Sequence, residues 1–143
     1  MGFLADLSDA DLLVRPVPGA NHIAWQLGHL ILSERHMGSQ IPGVKYPDLP
    51  PGFDKQHGKE ACGLDTGFAS KSQYQALFEA GRMATLEAAG RLSEADLDRP
   101  TEGQVAKYAP TVGKVLILIS THDMMHGGQF TVIRRKLGKP VLF

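Results

Sequence analysis

One stretch, residues 111–138 (TVGKVLILISTHDMMHGGQFTVIRRKLG), constrains everything else in the chain. It predicts a single long helix. Thr111 is a good N-cap, and Gly138 followed by Pro140 makes a stop signal. No proline interrupts the intervening turns, about seven of them. Val115, Leu118, His122, Met125, Gln129 and Val132 recur at alternating steps of three and four, with Ile119, His126 and Ile133 beside them. That spacing is one helix face. Two histidines and a glutamine therefore interrupt an otherwise apolar stripe. Buried polar groups cost free energy unless they find partners, and a metal ion would satisfy two imidazoles one turn apart.

At 143 residues the chain predicts one domain, residues 1–143, with room for a core. Fifteen basic residues balance fifteen acidic ones, so the overall charge points to neither nucleic acid nor an acidic membrane surface as partner. Arg134, Arg135, Lys136 and Lys139 cluster at the end of the long helix, where they complement its dipole. The single cysteine, Cys62, excludes an internal disulfide. The longest apolar run is too short to span a bilayer, and the acidic first residues do not read as a signal peptide. The cytoplasm is the expected compartment.

Residues 1–7 read as the tail of a helix, followed by a turn-rich connector with Pro16, Pro18 and Gly19. Asn21 is the expected N-cap of a second helix over residues 22–39. Its apolar positions are Ile23, Ala24, Leu27, Leu30 and Ile31, and Trp25, His29, Leu32 and His36 form an adjoining stripe. Residues 38–69 are rich in proline and glycine and predict a long connection with one short helical turn. Such a loop is often a lid or a crossover. Ser70 with Gln73 predicts a capping box. A third helix follows, about residues 71–92, with Tyr74, Leu77, Phe78, Gly81, Thr85 and Ala88 facing inward.

The chain also echoes itself. Leu7-Ser-Asp-Ala-Asp-Leu12 with Arg15-Pro16 after it returns as Leu92-Ser-Glu-Ala-Asp-Leu97 with Arg99-Pro100 after it. Either the chain is two helix–connector–helix halves, or one common helix-start motif is used twice. On the first reading it builds a four-helix bundle whose first helix is a truncated stub. The apolar groove left open would be covered by a second subunit, so a homodimer is expected.

His122 and His126 project from one face about 6 Å apart, a spacing that suits one metal ion. Neutral imidazole ligates zinc, nickel, copper and iron. A third ligand must come from His22, His29, His36, His57 or Cys62. His29 fits best because it lies mid-helix, as His122 does, and mid-helix residues meet in a bundle. His22 and His36 share its stripe but sit about 10 Å away along the axis. Three histidines with one open position form a catalytic type of zinc site. Gln129, one turn beyond His126, is the candidate catalytic contact to the fourth ligand or to substrate, with a core hydrogen bond as its structural alternative. Gly127 and Gly128 each cost about 1 kcal/mol in a helix interior, which close packing or room for a ligand would explain. Asp123 and Glu34 are candidate bases, although such carboxylates are usually solvated. HDMMH departs from the zincin HExxH motif, and no downstream third ligand follows it; APTVGK lacks the glycine spacing of a phosphate loop.

Two pieces, ANHIAWQLGHLILSE around His29 and THDMMHGGQFTVIRRKLGKP around the histidine pair, resemble the DinB-like family of bacterial metal proteins. The order matches too: one histidine in the second helix, then an HxxxH pair and Gly-Gln in the fourth. The resemblance runs from Leu7 to Pro140. It implies an all-α four-helix bundle with a long crossover and a metal triad of His29, His122 and His126. Relatives include mycothiol-dependent maleylpyruvate isomerase and bacillithiol transferases, others look like metal-dependent hydrolases, and many have no known activity.

The first expectation is an enzyme. A divalent metal, zinc or nickel, activates a low-molecular-weight thiol or water for transfer, isomerisation or hydrolysis of a small molecule, with Gln129 and the long loop shaping the site. The alternatives are a metal-binding stress or interaction protein without turnover and a structural bundle without metal.

Overall fold

The computed structural model describes residues 2–142, and among them every regular element is helical. Three long helices carry the fold: α1 (Ile23–Gly38), α3 (Lys71–Ala89) and α5 (Val112–Lys136). Two short ones, α2 (Phe53–Gln56) and α4 (Glu94–Leu97), sit in the connections. α1 packs against both α3 and α5. No helix of the described residues is long and apolar enough to cross a membrane.

Capping fixes where the helices begin. Thr111 Oγ1 accepts from Lys114 N–H at the start of α5, and Gly138, at φ +68°, ends the turn that follows it. Ser70 and Gln73 form the expected capping box on α3. The N-cap of α1 is His22, not Asn21. Its Nδ1 accepts from Trp25 N–H at 3.1 Å, while Nε2 lies 3.0 Å from Leu64 O. Asn21 instead offers its carbonyl to the Gln26 amide at 2.8 Å. The two LSxADL copies form the same local lock. Ser8 and Ser93 each exchange hydrogen bonds with the aspartate three residues on, Asp11 and Asp96. The first opens a 3₁₀ turn (Asp11–Leu13) and the second opens α4.

The start of the chain differs from its expected helical tail. Only Gly2–Leu4 forms a 3₁₀ turn, and Met1 lies outside the described residues. This segment is held by side chains rather than by helix. Arg134, fully buried, donates to Phe3 O and to both Asp6 carboxylate oxygens, and Lys139 Nζ donates to Asp6 O. The basic cluster at the end of α5 therefore clamps the N-terminal segment as well as facing the dipole.

The crossover, residues 38–69, is pinned along α1. Trp25 Nε1 donates to Gly58 O at 3.2 Å, and Arg15 donates to Asp65 and Leu64 O. His57 is buried, with Nδ1 2.8 Å from Phe53 O and Nε2 2.7 Å from the Tyr74 hydroxyl. Its ring presses on the backbone of α1 at Gly28, where a Cβ would fall inside the imidazole. Burial of the Phe53 side chain, worth about 1.5–3 kcal/mol, adds to this anchoring.

The core is two apolar clusters. One gathers Leu4, Leu7, Ile23, Leu27, Tyr74, Phe130 and Ile133; the other gathers Met37, Ile41, Ala88, Val112, Val115 and Ile119. The start of α1 thus meets the end of α5, and the two run antiparallel. Between the clusters all three long helices turn polar: His29 and Glu34 on α1, Arg82 and Thr85 on α3, His122, Asp123 and His126 on α5. On α5 the buried line is Val112, Val115, Ile119, His126, Phe130 and Ile133, whereas Met125, Gln129 and Val132 are exposed. The burial is centred one step from the predicted stripe, because α5 packs chiefly on α1.

Candidate metal centre

His29, His122 and His126 come together in the polar layer. Each offers a nitrogen, and these three atoms lie within 4.8 Å of one another. Their ring centroids are 5.3, 5.3 and 4.8 Å apart. Tetrahedral coordination at about 2.1 Å needs donors roughly 3.4 Å apart, which small imidazole rotations would provide. The decisive atom is Nε2 of His126. It is buried and has no hydrogen-bond partner. Such an orphan costs about 1–3 kcal/mol in a folded protein, and a cation is the partner its lone pair lacks. The donor set therefore fits a divalent metal.

The electrostatics favour the ligating form. Burial pushes the His126 pKa down to about 4, helped by the neighbouring His122 and His29. Gln129 opposes that shift yet leaves Nε2 without a hydrogen bond. His29 is lowered by burial and then by His122; burial also lowers His122, against the pull of Asp123. Neutral imidazoles, the form that binds metal, are the resting state.

Packing orients the rings. Trp25 stacks on His29 with centroids 5.1 Å apart and planes 7° from parallel. Nδ1 of His126 lies 2.9 Å from Gln26 Oε1. A cavity of about 380 Å³ opens against His29 and His122, walled by Leu32, Met37 and Leu118, with Ser33 and His36 as its polar lining. The crossover lends it no residue among those described. A larger groove of about 740 Å³ runs between α3 and α5, with Leu27, Leu30, Phe78, Arg82, Asp123 and Phe130 among its walls. Gly128 opens onto it, while Gly127 packs against Phe3.

The other sequence candidates fall elsewhere. His22 and His57 are satisfied by the hydrogen bonds given above, Cys62 is exposed, and His36 is exposed on the cavity lining. Gln129 is also exposed, one turn from His126. Glu34 is not solvated but 3% exposed: both its oxygens accept from Arg82, and Oε1 also accepts from Thr85 at 2.7 Å. Arg82 reaches Asp123 as well, at 2.5 Å. Sequence reasoning missed Arg82 and Gln26. The signals were there: Gln26 precedes His29 by three residues, and Arg82 lies between Phe78 and Thr85 on the inner face of α3.

The triad thus sits where the first and last of the three long helices, α1 and α5, meet. A DinB superfamily model matches residues 1–130, and the chain belongs to that superfamily. No curated protein and no solved structure matches it.

Proposed function

We propose that the protein is a metal-dependent enzyme whose His29, His122 and His126 hold one divalent ion, zinc or nickel. The observation that carries this reading is the buried, unpartnered Nε2 of His126 within a cluster of three nitrogens. Held by three imidazoles with an open position, such an ion supplies Lewis acidity and lowers the pKa of a bound thiol or water.

The chain's own residues do the rest. Trp25 fixes the His29 ring by stacking. Leu32, Met37 and Leu118 give the adjoining cavity apolar walls, which suit a small molecule with an apolar body. Ser33 Oγ, 3.4 Å from His29 Nε2, and His36 provide the polar groups that would orient it. Gln129, one turn from His126 and open to solvent, is positioned for a polar substrate group. The reaction class is transfer, isomerisation or hydrolysis, with a low-molecular-weight thiol or water as the attacking species.

A second reading, a metal-binding protein without turnover, is favoured by one observation. The two carboxylates expected as bases, Glu34 and Asp123, are both held by Arg82. The test begins with elemental analysis of untagged protein beside His122→Ala. One equivalent of metal in the parent and none in the variant supports the site; no metal in either after reconstitution sinks it. Turnover of electrophiles with thiol cosubstrates then separates the readings. Gln129→Ala should keep its metal and lose part of kcat/KM, and silence across the screen favours the second reading.

A further inference from the structure

We propose that Gln26 is a positioning residue that locks His126 in the tautomer able to bind metal; the metal part of this inference rests on the function proposed above. Gln26 is 2% exposed, on the first turns of α1. Its two amide atoms are both used, and their partners fix which way the amide points. Nε2 donates to Asn21 O at 2.8 Å. Oε1 lies 2.9 Å from His126 Nδ1. Turning the amide over would set Oε1 against the Asn21 carbonyl, two acceptors facing each other in a buried site. The amide is thus held with its oxygen towards the imidazole.

An amide oxygen only accepts, so His126 Nδ1 carries the proton and donates it. Nε2 of the neutral ring then has no proton. Its lone pair is the buried, unpartnered atom of the triad. Gln26 Oε1 is the hydrogen-bond partner of His126 Nδ1, so it is the group that selects this tautomer. The chain of cause runs from the helix boundary to the site. His22 caps α1, which leaves the Asn21 carbonyl to hold Gln26, which orients His126 one hundred residues away in sequence. Partners of this kind behind a ligating imidazole set its orientation and basicity, and their loss costs about 10–100-fold in metal affinity.

The test uses two readouts on the full chain. In metal-free wild type, two-dimensional ¹⁵N–¹H spectra of the imidazoles should show His126 as a single Nδ1–H tautomer. In Gln26→Met, which keeps length and apolar volume but offers no amide oxygen, His126 should lose that single tautomer. Zinc affinity, by competition with a chelator, should fall about 10–100-fold. An Nε2–H tautomer in wild type overturns the inference, as does unchanged zinc affinity in folded Gln26→Met. If Gln26→Met fails to fold, the wild-type spectrum still decides. Should wild type bind no metal, the proposed function fails while the tautomer spectrum still judges the role of Gln26.

Discussion

Glu34 and Arg82 form a two-point ion pair between α1 and α3, with Nε to Oε1 at 2.9 Å and the second nitrogen to Oε2 at 3.0 Å. Arg82 reaches on to Asp123 of α5, so one guanidinium ties together helices that otherwise flank an open groove. Replacing Arg82 with Met leaves a carboxylate that is 3% exposed without its cation. Loss of one partner of a buried pair costs about 3–5 kcal/mol, and the partial exposure of Arg82 places the effect near the lower end. Urea unfolding reads it directly. The double variant Glu34→Leu/Arg82→Met should recover most of the loss, and a loss that persists there would mean the charge is not the cause.

Gly28 is the point where the crossover meets the α1 backbone. Gly28→Ala gains helix propensity, about 1 kcal/mol, but puts a methyl group where the His57 ring sits. The ring cannot yield freely, because it also bonds Phe53 O and Tyr74. Overpacking of this kind costs about 1–3 kcal/mol, so the net change should be destabilising. Thermal melts test this, and a raised Tm would show that the crossover yields at no cost.

Metal should stabilise the native chain because the unfolded chain has no assembled site. At a free concentration one hundred times Kd, zinc or nickel should add about 2.7 kcal/mol. The Tm shift should vanish in His29→Ala and His122→Ala. An equal shift in those variants would locate binding elsewhere.

Metal-free protein should lose stability as pH falls. Burial lowers the pKa of His22, His29, His57, His122 and His126, the last to about 4. Below about 6.5 the unfolded chain takes up protons that the folded chain refuses. Unfolding therefore binds protons, and stability is present above that pH and declines towards about 4. Urea midpoints from pH 7 to pH 4.5 give the slope, and a flat profile would mean the histidines protonate without unfolding.

Much of this was legible in the sequence, for a reason that particular residues show. Thr111, Ser70 with Gln73, and Gly138 act within a few residues of themselves, so their caps and stops could be read locally. The HxxxH spacing put His122 and His126 on one face by helix geometry alone, and His29 was placed by its register along the neighbouring helix. Asn21 was misread as the cap because the competing acceptor, His22, is fixed by Leu64 in the crossover. Glu34, Arg82 and Gln26 carry no such local signal, because polar side chains default to the surface and these three are held by partners on other elements or outside their own helix.

What the sequence determined by itself is the set of long helices, their boundaries to within a few residues and the shared face of His122 and His126. Those follow from periodicity and local hydrogen bonding. Tertiary structure decided where burial is centred on α5 and which polar groups join it. It took α5 one step off its predicted stripe, drew Glu34 and Arg82 into a polar layer between two apolar clusters, and set Gln26 behind His126. The physical reason is that burial of a polar group depends on a partner from another helix, and that partner exists only once the helices pack.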